Sequence, residues 1–302
     1  MQDPYAAHVR FVLPARASAA LWRVLVVAIG FEVIFALSPQ IVAAFLPTQQ
    51  AVDALYDGIG TFGTLAQLFT FAVAGAGFLL LVRRVHGLSL GQLLGGWGAT
   101  RAHFWPVLGA VGLLLLVQEV LPPWIDLREA EMAHSFGVWL ALVPVTLLAL
   151  LVQVSTEELF FRGYLQQQFA CLFPQRWIWM GLPSVMFGVL HYGNGFGAAE
   201  GVLWAAWAAA LGLACADLTA RVGNLGPAIA LHLANNAFAI LIVSIEGWPA
   251  SGLSLLQYPY EDPSNYADGL EALLQPWAVL QAVLMALSVW LMWMAARIAV
   301  RR

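Results

Sequence analysis

Three charged side chains interrupt one of the longest apolar runs in this sequence of 302 residues. Glu157, Glu158 and Arg162 lie within the stretch STEELFFRGYLQ, and apolar segments continue on both sides of it. A charged residue at the centre of a membrane helix costs about 2.5 to 3.5 kcal/mol on insertion scales, and such residues usually mark a functional cavity. The run therefore predicts a buried site at which carboxylates carry out proton transfer.

The spacing within this run predicts different roles for the two glutamates. Glu158 and Arg162 are four residues apart, so they share a helix face and are expected to form a structural ion pair that supports helix packing. Glu157 is turned away by about 100° and has no cationic partner on its own helix. Because removal from water disfavours the charge of an isolated carboxylate, Glu157 is predicted to act as a proton acceptor.

Two later apolar segments carry the other candidate residues. Phe187 and His191 are four residues apart in PSVMFGVLHYGNG, and His191 could alternatively be a hydrogen-bonding residue at a helix end. His232, Asn235 and Asn236 form one polar stripe in NLGPAIALHLANNAF. Hydrogen bonding between helices, worth about 0.6 kcal/mol per contact, would suffice to explain Asn235. It is a weaker explanation for His232 and Asn236, which lie one helical turn apart.

Three further acidic residues lie in or near apolar segments. Glu119 and Asp217 are close to segment ends and are interpreted as interfacial residues. Glu32 lies in the middle of its segment with no partner close in sequence. It is predicted either to support the site or to form a packing hydrogen bond when protonated.

The composition is that of a polytopic membrane protein. Hydrophobic residues make up 61% and charged residues 10% of the chain, whereas soluble domains have about 45 to 50% and about 25%. The chain has a net charge of -4 and no polybasic cluster, which excludes a nucleic-acid-binding surface. Its two cysteines, Cys171 and Cys215, lack the spacing of a zinc site and predict no disulfide framework.

Counting apolar windows of about 20 residues predicts an all-α bundle of eight transmembrane helices, forming a single membrane domain over residues 1–302 with a motif-bearing core at about 140–245. The first window contains Pro39, which predicts a kink or a separate turn after Ser38. The fourth is predicted to emerge into the headgroups from about Tyr164, and residues 87–99 are predicted to form an interfacial helix. The windows are 20–46, 60–82, 104–121, 136–170, 177–192, 196–220, 225–246 and 274–296.

Charge distribution predicts the orientation, because cytoplasmic connections hold an excess of basic residues. With eight helices, one side receives Arg10, Arg16, Arg23, Arg83, Arg84, Arg101, Arg176, Arg221, Arg297, Arg301 and Arg302. The other side receives Arg128 and the acidic residues Asp53, Asp57, Asp126, Glu129, Glu131, Glu261, Asp262, Asp268 and Glu271. Both termini are therefore predicted to be cytoplasmic.

Taken together, three motifs resemble those of the CPBP family of CAAX prenyl endopeptidases and bacteriocin-processing proteins, also called the Abi family. The motifs are Glu157-Glu158-x-x-x-Arg162, Phe187-x-x-x-His191 and His232-x-x-x-Asn236, with the extended matches EELFFRGYLQ and NLGPAIALHLANN. The resemblance covers about residues 140–245. It implies an intramembrane endopeptidase with a bundle of typically eight helices around a conical polar cavity.

The resemblance also implies residue roles. Glu157 with His191 would activate the attacking water, His232 and Asn236 would stabilise the oxyanion, and Glu158 with Arg162 would support the site, with Phe187 and Asn235 nearby. The family is described both as metalloproteases and as glutamate enzymes. If zinc were bound, Glu157, His191 and His232 would be its ligands. A metal-free glutamate mechanism is favoured, because Asn236 is a poor zinc ligand but a good oxyanion donor.

The partners implied are the lipid bilayer and a membrane-associated peptide or protein substrate. The arginine-only, alanine-rich chain with short loops favours the inner membrane of a bacterium and ranks CAAX cleavage below other substrates. Two alternatives remain open. The chain could be a non-catalytic immunity or regulatory protein of the Abi type. It could also be a transporter with a proton path through Glu32, Glu157 and Asp217, although no inverted repeat is evident.

Overall fold

The chain forms a bundle of α-helices with a small sheet at one end. The computed structural model describes residues 3–121, 127–262 and 269–301, so Asp126, Asp268 and Arg302 lie outside the described residues. The helices are α1 (Ala6–Val12), α2 (Leu21–Ala43), α3 (Gln49–Asp57), α4 (Gly60–His86), α5 (Leu90–Leu94), α6 (Trp97–Val120), α7 (Phe136–Glu158), α8 (Gln166–Leu172), α9 (Leu182–Leu190), α10 (Ala198–Val222), α11 (Gly226–Leu241) and α12 (Pro276–Ala299). The strands are β1 (Glu131–Met132), β2 (Val243–Ile245) and β3 (Leu256–Tyr258).

The prediction of a helical membrane bundle is confirmed, but the count of eight spanning helices is not. Among the described residues, six helices are long and apolar enough to cross a membrane: Leu21–Ala43, Gly60–His86, Trp97–Val120, Phe136–Leu172, Ala198–Val222 and Pro276–Ala299. The predicted seventh span ends as a helix at Leu241, and its apolar sequence continues into β2. At 1.5 Å per residue, the 16 residues of α11 reach about 24 Å, less than the roughly 30 Å of a hydrocarbon core.

The helix α7 lies at the centre of the bundle, where it packs between α4 and α11. One apolar core surrounds Phe78 and Phe160, which contact each other edge to face, and a second lies between α6, α10, α11 and α12. The outer faces of the long helices are apolar as well, as shown by the exposed side chains of Leu25, Ile29 and Val33 on α2. Apolar residues both inside and outside suit a protein surrounded by lipid.

Irregularities were predicted at two places in the long helices. The helix α2 continues through Pro39 to Ala43, so no separate turn follows Ser38, and the alternative of a kink at Pro39 stays a prediction. From Tyr164, which is fully buried, the end of the fourth predicted span is covered by protein: α1 packs on α8, and α5 packs on the segment between α7 and α8. Its emergence into the headgroups stays a prediction.

A small sheet and its flanking loop cover the end of the bundle where α7 begins. The strand order is β1-β3-β2, with β1 antiparallel and β2 parallel to β3. The loop between β2 and β3 approaches the start of α4, where Thr61 donates a hydrogen bond to the Gly252 carbonyl at 2.9 Å. The Nε1 of Trp139 on α7 donates to the Leu241 carbonyl at 2.9 Å. These bonds attach the segment after α11 to α4 and α7.

At the opposite end, Asp217 joins the N-terminal segment, α10 and α12 through one carboxylate. Its Oδ1 accepts from the Tyr5 hydroxyl at 2.6 Å, and its Oδ2 accepts from Arg221 Nε at 2.7 Å and Trp293 Nε1 at 2.8 Å. Burial, together with the Asp217 carboxylate, raises the pKa of Tyr5, which keeps its hydroxyl protonated as a donor. Asp217 is therefore a structural residue that holds the N-terminal segment and α12 against α10.

Replacing Asp217 should destabilise the protein far more than replacing an exposed acidic residue. In Asp217→Ala, three donors lose their shared acceptor, and removing one partner of a buried pair costs about 3 to 5 kcal/mol. The matched control is Asp3→Ala, because Asp3 forms an exposed ion pair with Arg176 at 3.2 Å and exposed pairs contribute about 0 to 1 kcal/mol. Unfolding by sodium dodecyl sulfate, followed by circular dichroism, compares the two. Equal losses would show that the Asp217 contacts contribute little.

The docking of α1 should depend on pH through His8. His8 is buried and stacked on Trp179, with ring centroids 4.3 Å apart, and burial lowers its pKa from 6.5 to about 4. Because the unfolded or undocked segment binds a proton more readily, the docked state loses stability as pH falls from about 6.5 to about 4. Hydrogen-exchange protection of residues 6–12 should fall over this window. His8→Phe keeps the stacking and should remove the dependence, and a pH-independent wild type would contradict the assignment.

Candidate intramembrane active site

The backbone changes its hydrogen-bonding pattern at the charged motif. The helix α7 ends at Glu158, and residues Leu159–Leu165 form a π-helix that leads into α8. A regular α-helix was expected here from the apolar run. Single turns of π-helix are rare and are often found at functional sites. The change places Glu157 and Glu158 in the last α-helical turn and Arg162 in the wider turn that follows.

Glu158 and Arg162 form an ion pair, as their four-residue spacing predicts. Arg162 Nη1 lies 2.8 Å from Glu158 Oε1, and the two side chains are 1% and 0% exposed. The guanidinium also lies over the Phe187 ring, 4.8 Å from its centroid. Gly212 on α10 leaves room for this group, because a Cβ there would lie 2.7 Å from Arg162 Nη2. The pair thus connects α7, α9 and α10.

His232 lies between the two adjacent glutamates. Its Nδ1 is 2.9 Å from Glu158 Oε1, and its Nε2 is 3.6 Å from Glu157 Oε2. An ionised carboxylate only accepts hydrogen bonds, so the Nδ1 of His232 carries the proton shared with Glu158. The Nε2 is thereby directed towards Glu157. The sequence predicted a polar stripe on α11 but not this position between two carboxylates.

A chain of side-chain amides connects Glu157 to α11. Gln153 Nε2 donates to Glu157 Oε2 at 2.9 Å, and Asn236 Nδ2 donates to Gln153 Oε1 at 3.1 Å. Asn235 Nδ2 in turn donates to Asn236 Oδ1 at 3.1 Å. Gln153 was missed in the sequence, although it lies one turn before Glu157 on the same face of α7. A glutamine in an otherwise apolar run was the available signal.

His191 follows the last residue of α9 and contacts Phe187 rather than Glu157. Its Nδ1 lies 2.7 Å from the Phe187 carbonyl, and the two rings are 4.3 Å apart at their centroids. The Phe187 ring also meets His232 edge to face at 5.6 Å. Among the described residues, no hydrogen bond or ion pair joins His191 to Glu157. His191 is therefore next to the cluster, with the Phe187 ring between it and His232.

The donor set does not fit a zinc ion in this arrangement. Within the described ranges, no three His, Cys, Asp or Glu side chains come close enough together to hold a metal. The three residues considered for zinc are separated because His191 is bonded to the Phe187 carbonyl while His232 contacts both glutamates. Metal-free chemistry stays a prediction.

The acidic residues considered for a proton path are not part of this cluster. Glu32 and Glu119 are exposed on the outer faces of α2 and α6. Asp217, near the end of α10, accepts hydrogen bonds from Tyr5, Arg221 and Trp293. The exposure of Glu32 and the contacts of Asp217 thus give no support to a path that connects them with Glu157.

Comparison with known proteins identifies the central part of the chain. Residues 139–238 match the family described as type II CAAX prenyl endopeptidase Rce1-like. The family resemblance is confirmed. This Rce1-like segment, about a third of the chain, contains the Glu157, His191, His232 and Asn236 positions and runs from the start of α7 into α11. The six long apolar helices of the described residues and this match indicate an integral membrane protein, and the match supports the fold of a CAAX-type intramembrane protease for residues 139–238.

One curated relative has also been found. The uncharacterized protein YyaK of Bacillus subtilis (strain 168) is 31% identical over 115 residues, which is 38% of this chain and 38% of that protein. The alignment thus spans about two fifths of the length of the curated relative. No solved structure matches the chain significantly. The Rce1-like segment is therefore identified from its sequence alone.

The buried ion pair should be essential for stability, and Glu157 should not be. In Arg162→Met, Glu158 keeps its charge without its main cation, and such an unpaired buried charge costs about 3 to 5 kcal/mol. Glu157→Gln is the matched control, since Glu157 is 14% exposed and is not ion-paired to an arginine. Detergent-solubilised protein unfolded by sodium dodecyl sulfate tests both. A large loss in Glu157→Gln together with none in Arg162→Met would reverse the assigned roles.

Proposed function

We propose that this protein is an intramembrane endopeptidase that uses Glu157 to activate water against a peptide bond in a membrane-associated peptide or protein. The observation that carries the proposal is the position of Glu157 Oε2, which accepts from Gln153 at 2.9 Å and faces His232 Nε2 at 3.6 Å. A carboxylate next to hydrogen-bond donors on a partly exposed surface is the equipment needed for peptide hydrolysis by water. The Rce1-like match over residues 139–238 supports the same class of reaction.

The proposed reaction conserves the charge of the buried cluster. Glu157 takes one proton from water, the water oxygen bonds to the peptide carbonyl carbon, and the carbonyl oxygen becomes an oxyanion. The negative charge thus moves from Glu157 to the substrate. Donors that already face Glu157 also lie close to the new charge, and preorganised donors of this kind stabilise a transition state without rearrangement. The proton held by Glu157 then passes to the leaving nitrogen as the C–N bond breaks.

His232 and Asn236 are proposed to stabilise the oxyanion. The Nδ1 of His232 is used by Glu158, so the group left for substrate is Nε2. To donate to an oxyanion this nitrogen must carry a proton, and His232 then donates from both of its ring nitrogens. The Asn236 amide has two N–H bonds, of which one is used by Gln153. The second remains for substrate.

His191 is proposed to act with Glu157 on the attacking water. Its Nδ1 lies 2.7 Å from the Phe187 carbonyl, so that nitrogen carries the proton and the neutral ring has its lone pair on Nε2. That lone pair can accept a hydrogen bond from water. A partly exposed histidine at a helix end, with one nitrogen fixed by the backbone, is suited to orient a water molecule.

A non-catalytic immunity or regulatory protein of the Abi type is the second candidate. The observation that favours it is that the polar cluster also joins helices, because His232 on α11 bonds Glu158 and Asn236 on α11 bonds Gln153, both on α7. Such contacts stabilise helix packing whether or not chemistry takes place. In that case, removing the base function of Glu157 would leave the phenotype unchanged.

A bacterial inner-membrane location with cytoplasmic termini stays a prediction from the arginine distribution.

Glu157→Gln should abolish cleavage while leaving a folded protein. General-base catalysis contributes about 100- to 10,000-fold to rate, and glutamine still accepts the hydrogen bond from Gln153 through its carbonyl oxygen. Membrane and secreted peptides of a host expressing wild type are compared with those of a host expressing Glu157→Gln, and the matched control is Glu32→Gln, an exposed acid on α2. Peptides that depend on Glu157 identify the substrate. Identical peptides from folded Glu157→Gln and wild type would favour the non-catalytic candidate.

A further inference from the structure

Gln153 occupies a special position in the candidate site. It is 9% exposed, lies on α7, and is the side chain that links Glu157 with Asn236 on α11. None of the three motifs contains it. Both ends of its amide are used: Nε2 bonds Glu157 at 2.9 Å and Oε1 bonds Asn236 at 3.1 Å. A residue that only filled space would not need an amide with this orientation.

The chemistry of the partners fixes the direction of every hydrogen bond in this chain. The ionised Glu157 carboxylate only accepts, so Gln153 must present its NH₂ group to it. The Gln153 oxygen therefore faces Asn236, which must in turn present its own NH₂ group. The remaining Asn236 oxygen then accepts from Asn235, as observed at 3.1 Å. The charge of Glu157 thus determines which way the Asn236 amide points.

We propose that Gln153 is a positioning residue that sets the orientation of the Asn236 amide according to the charge of Glu157. The proposal rests on the function proposed above. An amide can adopt either of two orientations, and in the wrong one Asn236 would present its oxygen towards a developing negative charge. By requiring a donor at its own oxygen, Gln153 keeps the Asn236 N–H groups on the side where the oxyanion forms. The base and the oxyanion donor are thereby prepared together.

The same geometry assigns the proton to one oxygen of Glu157. Oε2 accepts from Gln153 and faces His232 Nε2. The other oxygen, Oε1, has no hydrogen-bond partner among the described residues. If the water proton is transferred to Oε1, Oε2 remains an acceptor and the amide chain keeps its direction throughout the reaction. Transfer to Oε2 would instead place a proton against the N–H that Gln153 donates to this oxygen, and the hydrogen bonds along the amide chain would have to reverse direction.

Three variants at two positions test this role. Gln153→Met keeps the length of the side chain and removes both hydrogen bonds, so kcat should fall about 10- to 100-fold, the range expected for a hydrogen bond to a charged group, with KM changed little. Thr146→Val is the matched control, because Thr146 is fully buried on the same helix and bonds only the Leu142 carbonyl. Gln153→Glu tests the direction of the bonds.

The pH dependence of Gln153→Glu separates positioning from packing. When ionised, the introduced carboxylate can only accept and cannot donate to Glu157, so activity is lost. When protonated at lower pH, it has one donor and one acceptor, like the amide, so its activity relative to wild type should rise as pH falls. Gln153→Met should show no such recovery. The charged and titratable groups of the surrounding cluster, shared by all variants, are Glu157, Glu158, Arg162, His191 and His232.

A double variant completes the test. If Gln153 acts through Asn236, Gln153→Met should cost little further activity when Asn236→Ala is already present. The probe is a synthetic quenched fluorescent peptide that spans the cleavage site found by comparing wild type with Glu157→Gln. Wild-type kcat in Gln153→Met, additive losses in the double variant, or no relative gain of Gln153→Glu at low pH would each overturn this inference. Activity in Glu157→Gln would instead overturn the proposed function itself.

Discussion

A single buried oxygen, Oε1 of Glu158, holds the centre of the structure together. It accepts from both Arg162 at 2.8 Å and His232 at 2.9 Å. A carboxylate that is 0% exposed must be paired, because the free-energy cost of burying an unpaired charge amounts to several kcal/mol. The pairing fixes α7 and the π-helix that follows it against α11. The positions of Glu157 and Asn236 depend on that arrangement.

The polar cluster is built where regular helices end. Glu158 closes α7, His191 follows α9, and the two short helices α9 and α11 both contribute to it. Helix ends leave backbone groups unsatisfied, and within a bilayer such irregular backbone is tolerated only where protein or a polar cavity surrounds it. The predicted count of eight spans is unconfirmed because it included the short helices that build the site. A hydropathy count finds long apolar segments, whereas the residues of this cluster lie where the helices end or are short.

Local spacing predicted the contacts within one helix but not those between helices. The pairing of Glu158 with Arg162 follows from four-residue spacing, and the three motifs led to the correct family. The contacts of Gln153 with Asn236 and of His232 with two carboxylates depend on how α11 is rotated against α7. Periodicity does not determine that rotation. The small sheet after α11 was also missed, since Val243–Ile245 continues an apolar run that is indistinguishable from a helix by composition.

The two adjacent glutamates have the same chemistry, and their surroundings separate their roles. Glu158 is fully buried and bound by an arginine and a histidine, so its carboxylate is enclosed by protein and paired. Glu157 is 14% exposed and held by the neutral amide of Gln153, which leaves one oxygen free for water. A purely structural cluster would have no need for this second, less buried carboxylate. The difference in burial between these neighbouring residues is consistent with the catalytic role proposed for Glu157 and the structural role of Glu158.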